Sequence, residues 1–192
     1  MALDGALLAK QITALAFENY VRVIPSQYAA TPLGCMAGVS RFGGTTGGFA
    51  VLYAARDLAT ALAESVVRDR FEGLADRRLF IAELAERSAV ELSTTTPLCL
   101  LDLRDGGCLK LGISTEVTGA KGFGEAQALA DQIHTDPAIH GILYPSRLTG
   151  RNCVAVFDRA IATHLRAGRI APLGQLETVG AALDSLNIEL IG

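Results

Sequence analysis

The chain has 192 residues, half of them hydrophobic, which is enough apolar material to close one sizeable core, so a single domain over residues 1–192 is expected. Charged residues make up 19% and the formal net charge is −3, which gives no field to draw the chain onto nucleic acid or an anionic membrane. No apolar run approaches the roughly 20 residues of a membrane-spanning helix, and the stretch from Met1 to Ala16 lacks a basic leader, with Asp4 where an export signal would be positive. A soluble, cytoplasmic protein without direct nucleic-acid or membrane partners is expected.

In chain order, Leu3 to Leu15 repeats apolar residues at helical spacing, and Asn19 to Ile24 then alternates in the manner of a strand before Pro25 stops it. Residues 25–48 are rich in Gly, Ser, Thr and Pro, a length of irregular backbone that compact domains seldom carry without use. A short strand is predicted over Phe49 to Ala54, and Asp57 is placed to cap a helix running to about Phe71. Arg78 to Leu92 fits both periods and is read as a strand. Pro97 to Leu103 suits a buried strand, Gly124 to His134 a helix, and Gly141 to Tyr144 and Asn152 to Phe157 two more strands. A strand around Gln175 to Val179 and a short helix from Ala181 to Leu186 close the chain. Several of these strands are joined by loops too short for a crossover helix, so the fold class is α+β, a mixed sheet with flanking helices.

Metal and nucleophile chemistry find little support. Cys35, Cys99, Cys108 and Cys153 form no C-x-x-C pair, and His134, His140 and His164 form no ligand grouping, so reduced, mostly buried thiols and no metal are expected. Arg41-Phe-Gly-Gly-Thr-Thr-Gly-Gly48 looks like a nucleotide loop, but Phe49 stands where a Walker loop needs Lys, and a strand follows where a dinucleotide fingerprint needs a helix. What remains is either a flexible loop led by an arginine and able to approach a phosphate, or a Gly-rich hairpin. Ser146 lies in Tyr144-Pro-Ser-Arg147, which lacks the G-x-S-x-G elbow of acyl transfer.

A set of segments in fixed order carries more. Tyr20-Val-Arg-Val23, Ser40-Arg-Phe-Gly-Gly44, Val51-Leu-Tyr-Ala-Ala-Arg-Asp-Leu-Ala-Thr-Ala-Leu-Ala-Glu64, Gly141-Ile-Leu-Tyr-Pro-Ser146 and Gly150-Arg-Asn152 together resemble the RES domain across roughly residues 18–158. The resemblance places the family's strand Arg at Arg22, its loop Arg at Arg41, its Tyr at Tyr53, its Glu at Glu64 and its Ser at Ser146, with Asn152 as a further position. It implies a fold similar to ADP-ribosyltransferases, NAD⁺ as substrate with no other cofactor and no metal, and an Xre-type antitoxin that covers the site. Two positions depart from the family's pattern: Val21 stands where an aromatic often precedes the Arg, and Phe42 replaces the usual Trp.

Each position also has a structural reading. Arg22 could pair with a cross-strand carboxylate, although an Arg in an apolar strand asks for a fixed anion. Arg41 could be solvated, Tyr53 could be core, Glu64 could pair with Arg68 one turn on, and Ser146 could serve its own turn. On the catalytic reading that the resemblance implies, nicotinamide leaves as a cationic group and Glu64 stabilises the oxocarbenium character left on the ribose. Arg22 and Arg41 would clamp the diphosphate, while Tyr53 would stack on nicotinamide or ribose. Ser146 would hydrogen-bond the ribose or an incoming phosphate. Phosphate, a protein side chain and water are the open acceptors, giving a toxin that is an NAD⁺ phosphorylase, a mono-ADP-ribosyltransferase or a glycohydrolase. A non-catalytic antitoxin-binding module is the alternative of another class.

Overall fold

The computed structural model describes residues 3–192 apart from the side chain of Asp69; Met1 and Ala2, the head of the stretch read for a leader, lie outside the described residues. The elements are α1 (Gly5–Lys10), β1 (Ile12–Leu15), β2 (Tyr20–Pro25), β3 (Val51–Ala55), α2 (Leu58–Leu62) continued by a π-helix (Ala63–Phe71), β4 (Arg77–Phe80), α3 (Ile81–Ala85), β5 (Arg87–Thr94) and β6 (Leu98–Asp102). They continue with α4 (Gly107–Lys110), α5 (Glu116–Gly119), α6 (Gly124–His134), β7 (Gly141–Pro145), β8 (Asn152–Phe157), α7 (Asp158–His164), β9 (Leu165–Pro172), α8 (Val179–Ser185) and β10 (Ile188–Ile191). Among the described residues no helix is long and apolar enough to cross a membrane.

Eight strands form one sheet in the order β1-β6-β7-β8-β3-β2-β5-β9, and β10 with β4 makes a separate parallel pair. Only β6 and β7 run parallel within the large sheet, and its other neighbours are antiparallel. The sheet is therefore mixed, as its short connections require. Strands β3, β7 and β8 are buried on both faces. Along β8, Cys153, Ala155 and Phe157 pack with Ala126, Leu129 and Ile133 of α6, while Val154 and Val156 pack with Ala160 and Ile161 of α7. A third cluster joins Leu62, Val66 and Phe71 to Leu79, Leu183 and Ile188. Each such fully buried Leu, Val or Phe contributes about 1.5–3 kcal/mol.

Several predicted elements are corrected. The N-terminal helix ends at Lys10, because Ile12 and Thr13 are β-branched and Ile12–Leu15 covers the edge of β6 in antiparallel register, Ile12 opposite Leu101. Arg78 to Leu92 is strand, helix, strand: the Glu83 carboxylate accepts a 3.2 Å hydrogen bond from Phe80 N and starts α3 in the middle of it. No strand occupies Gln175 to Val179; Leu173, fully buried, sits in a 3₁₀ turn that leads into α8. Strands β9 and β10 and helix α7 had no counterpart in the sequence reading. Of these, β9 alternates poorly, since Arg166, Gly168 and Arg169 sit on an open edge paired only to β5.

Gly141 shows how tightly the centre is built. It has φ 156°, and a Cβ there would lie 2.0 Å from the Ala155 carbonyl oxygen of β8, a backbone atom that cannot step aside. Gly141→Ala is expected to destabilise the protein by about 3 kcal/mol or more, read as a lower urea midpoint with an unchanged slope. A midpoint at the parent value would contradict this account of the close approach.

Candidate functional site

The sheet parts where β2 meets β3. Every residue of β2 is paired to β5 and every residue of β3 to β8, yet the two strands share one register pair, Val21 with Ala55. Beyond it lies a cleft of about 350 Å³, walled by Val21, Arg22 and Val23 of β2 and by Tyr53, Ala54 and Ala55 of β3. Ser40 and Arg41 of the glycine loop, Glu64, Ser65 and Arg68 of the π-helix, and Arg87, Phe123, Tyr144 and Cys153 complete it. A π-helix is rare and recurs at functional sites.

Glu64 is the one carboxylate on this lining among the described residues. Its Oε1 accepts a 2.6 Å hydrogen bond from Ser146 Oγ, and its Oε2 lies 3.6 Å from the Arg68 guanidinium. Ser146 is 2% exposed, and its Oγ also accepts from Leu148 N and Thr149 N, each at 3.2 Å. The hydroxyl proton is thereby committed to Glu64 and the lone pairs to the turn that joins β7 to β8. Ser146 serves its turn, as one of its two readings had it; its hydroxyl faces Glu64 across 82 positions of sequence and is not free for the expected contact with ribose or phosphate. The Glu64–Arg68 pair exists as well, alongside the bond to Ser146.

The glycine loop is tethered at several points. An isolated bridge between Ala37 and Ala50 closes its neck. Inside, the Tyr53 hydroxyl donates to Ser40 Oγ at 3.1 Å and accepts from Phe42 N at 2.9 Å, Gln127 donates to Ser40 O, and Thr45 Oγ1 donates to Asp131 at 2.6 Å. Phe42 is fully buried, edge-on to the Tyr144 ring at 4.9 Å. Tyr53 is thus a wall of the cleft whose polar end anchors the loop, and burial raises its pKa above the ordinary tyrosine value.

Arg22 and Arg41 are both desolvated, and burial lowers the pKa of each. The Arg22 guanidinium donates to Pro32 O at 3.1 Å and Gly34 O at 2.8 Å; opposite it on β5 is Val90, and no carboxylate among the described residues pairs with it. Arg41, for which solvation was the structural alternative, is 7% exposed, donates to Ala120 O at 2.8 Å and lies over the Phe123 ring. Carbonyl oxygens satisfy their N–H groups without cancelling their charge. Asn152 stands apart: it begins β8 opposite Pro145, its carbonyl accepts from Arg56 N, and it does not line the cleft.

Sequence reasoning missed Arg87, Phe123 and Cys153 as lining residues, and none carries a local signal. Burial pushes the Cys153 thiol well up, with Glu64 adding to the effect, so it is not a thiolate nucleophile. A second hollow of about 330 Å³ adjoins the cleft through Arg41, Arg68 and Phe123 and is completed by Arg70, Glu72, Lys121 and Arg147. There Arg147 donates to both oxygens of Glu72, and this contact holds the Glu72 carboxyl down to about 2. The site is therefore strongly cationic within an acidic chain. It is suited to an extended anion with planar ends, held against one fixed carboxylate.

Known proteins bear on this geometry in three ways. The chain is 35% identical over 114 residues to a protein of Sinorhizobium fredii described as probable toxin y4kH, an alignment covering 58% of this chain and 88% of the relative. Its fold is similar to one in the crystal structure of the M. tuberculosis MbcT–MbcA toxin–antitoxin complex, with a TM-score of 0.62, 16% identity, and coverage of 88% of this chain and 92% of that one. The model of the RES domain matches residues 19–176, past the 18–158 stretch that carries the motifs and on through β9. The chain belongs to the RES-domain family.

Proposed function

We propose that this chain is the toxin of a toxin–antitoxin pair and an enzyme that cleaves the nicotinamide–ribose bond of NAD⁺, passing the ADP-ribosyl group to phosphate. The observation that carries the reading is Glu64, a carboxylate fixed by a buried hydroxyl in an arginine-walled cleft. Nicotinamide departs with the electron pair of the C–N bond, and positive charge develops on the ribose. A carboxylate already oriented stabilises that charge without reorganising when it forms. Glu64 takes this role, and Ser146 and Arg68 hold its two oxygens in place. Arg22 and Arg41, whose N–H groups are met by carbonyl oxygens, attract the diphosphate, while Tyr53 and Phe123 offer rings to the planar ends. The relatives described as toxins support an antitoxin partner, which we take to be of the Xre type and to lie over the cleft.

Glu64→Gln separates this role from the ion pair with Arg68. The amide oxygen still accepts from Ser146, and a loose, partly exposed pair contributes only a few tenths of a kcal/mol, so the thermal midpoint should barely move. NAD⁺ cleavage should fall by about 10²–10³, and growth arrest on expression should vanish with it. A folded variant cleaving within a few-fold of the parent would remove Glu64 from the chemistry.

The acceptor is read from products. Incubation with NAD⁺ and phosphate should yield nicotinamide and ADP-ribose-1″-phosphate by mass spectrometry, with a rate that rises with phosphate. Free ADP-ribose alone would make the enzyme a glycohydrolase, and an added ADP-ribosyl mass on a protein would make it a transferase.

A further inference from the structure

The lining of the cleft crosses five neighbouring strands. Tyr144 of β7, Cys153 of β8, Tyr53 of β3, Val23 of β2 and Arg87 of β5 follow the sheet order without a gap, about 19 Å from first to last at the usual strand spacing. Glu64 belongs to one end of this row, since the hydroxyl that holds it comes from the turn between β7 and β8. Arg87 stands at the other. It shares its face of β5 with Ala89, which packs with Leu62 and Val66 of the helix that carries Glu64, so both groups lie on the same side of the sheet.

Arg87 also differs from Arg22 and Arg41 in what its guanidinium meets. Carbonyl oxygens take the donors of those two, whereas Arg87 makes no hydrogen bond or ion pair among the described residues. The carboxylate near it, Glu83, is engaged by Arg70 and by the Phe80 amide. A half-buried arginine on the cleft wall thus keeps its planar fork of donors open to a ligand. Charge decides which end of a dinucleotide faces it. The nicotinamide ring of NAD⁺ is cationic and is repelled by a guanidinium, while the adenylate half carries a phosphate, which a guanidinium binds through paired N–H···O contacts. We infer that Arg87 holds the phosphate of the adenylate half and so selects a dinucleotide over nicotinamide mononucleotide, which lacks that phosphate. The inference rests on the reading of the chain as an NAD⁺-cleaving enzyme. With Glu64 at the reacting ribose and Arg87 at the far phosphate, the substrate is fixed at two distant points, and its reacting carbon is held against the carboxylate.

Arg87→Gln removes the charge, and with no internal bond lost its melting temperature should stay at the parent value. Its KM for NAD⁺ should rise about tenfold or more with kcat near the parent value, the signature of lost binding that ground and transition states share. In calorimetry ADP-ribose should weaken by a similar factor and nicotinamide mononucleotide should bind as before. Arg87→Lys, which restores the charge without the fork, should recover part of the loss. An unchanged KM for NAD⁺ overturns the proposal. So does a fall in kcat alone, which would put Arg87 beside Glu64 in the chemistry, and so does a lysine variant no better than the glutamine one. Should Arg87→Gln unfold, the lysine variant decides: a raised KM with kcat kept sustains the proposal, and a parent KM overturns it. Should the parent release no nicotinamide, the NAD⁺ reading fails by itself, and calorimetry with ADP decides Arg87: binding weakened in Arg87→Gln sustains an adenylate seat, and equal or absent binding removes it.

Discussion

The hydrogen bond from Ser146 to Glu64 joins two parts of the chain that nothing local would bring together. Ser146 sits on a turn held by its own two amide contacts and by the β7–β8 ladder, the most buried part of the sheet. Glu64 sits on a helix packed on a separate cluster with Leu79 and Ile188. A Thr60–Thr149 hydroxyl contact at 3.1 Å and the Arg147–Glu72 pair fasten the same turn to the same helix on either side. The carboxylate is thus oriented by three contacts between rigid elements, which is the condition for electrostatic preorganisation.

A second constraint follows from charge. Burying guanidinium groups is costly unless their N–H donors are met. Here backbone carbonyls meet them: Pro32 and Gly34 of the loop for Arg22, and Val117 and Ala120 at the end of α5 for Arg41. A carboxylate partner would have made the same bonds and cancelled the field. Carbonyls leave the positive potential standing, which accounts for the long loop of residues 25–48: it supplies polar backbone to β2 and carries Arg41 inward. Its glycines serve close packing here, since a Cβ on Gly43 would meet Ser40 Oγ at 2.7 Å.

Much of the fold could be read from the sequence where periodicity and burial agree. Helix α6 and strands β6, β7 and β8 occur where apolar spacing placed them, because each presents a full face to the core. Strand β9 escaped, because Gly168 and Arg169 interrupt the alternation of an edge strand that buries only Leu165 and Ala171, and α3 escaped because Glu83 caps it from within a stretch of strand-like spacing. For the site, the motif order picked out Arg22, Arg41, Tyr53, Glu64 and Ser146, and the structure sets the first four on one cleft with Ser146 hydrogen-bonded to Glu64. Arg87 and Phe123 reach that opening only through the sheet order and the α5–α6 packing, which no residue announces. The π-helical stretch that carries Glu64 is likewise absent from any local pattern.

The two departures from the family's pattern fall at places where the structure can absorb them. Phe42 is fully buried against Tyr144, with its amide already held by Tyr53. An indole there would bring an N–H needing a partner in an apolar pocket, whereas Phe keeps the ring contact and adds no polar group to satisfy. Val21 is more consequential, because it is the residue of β2 paired to β3 and it lines the cleft directly beside Arg22. A larger ring at that point would narrow the opening between the strands. With Val the wall recedes and Val21 also packs back toward the core. The substitution therefore acts on the width of the cleft beside Arg22, while the Glu64–Ser146 contact is made by residues of other elements.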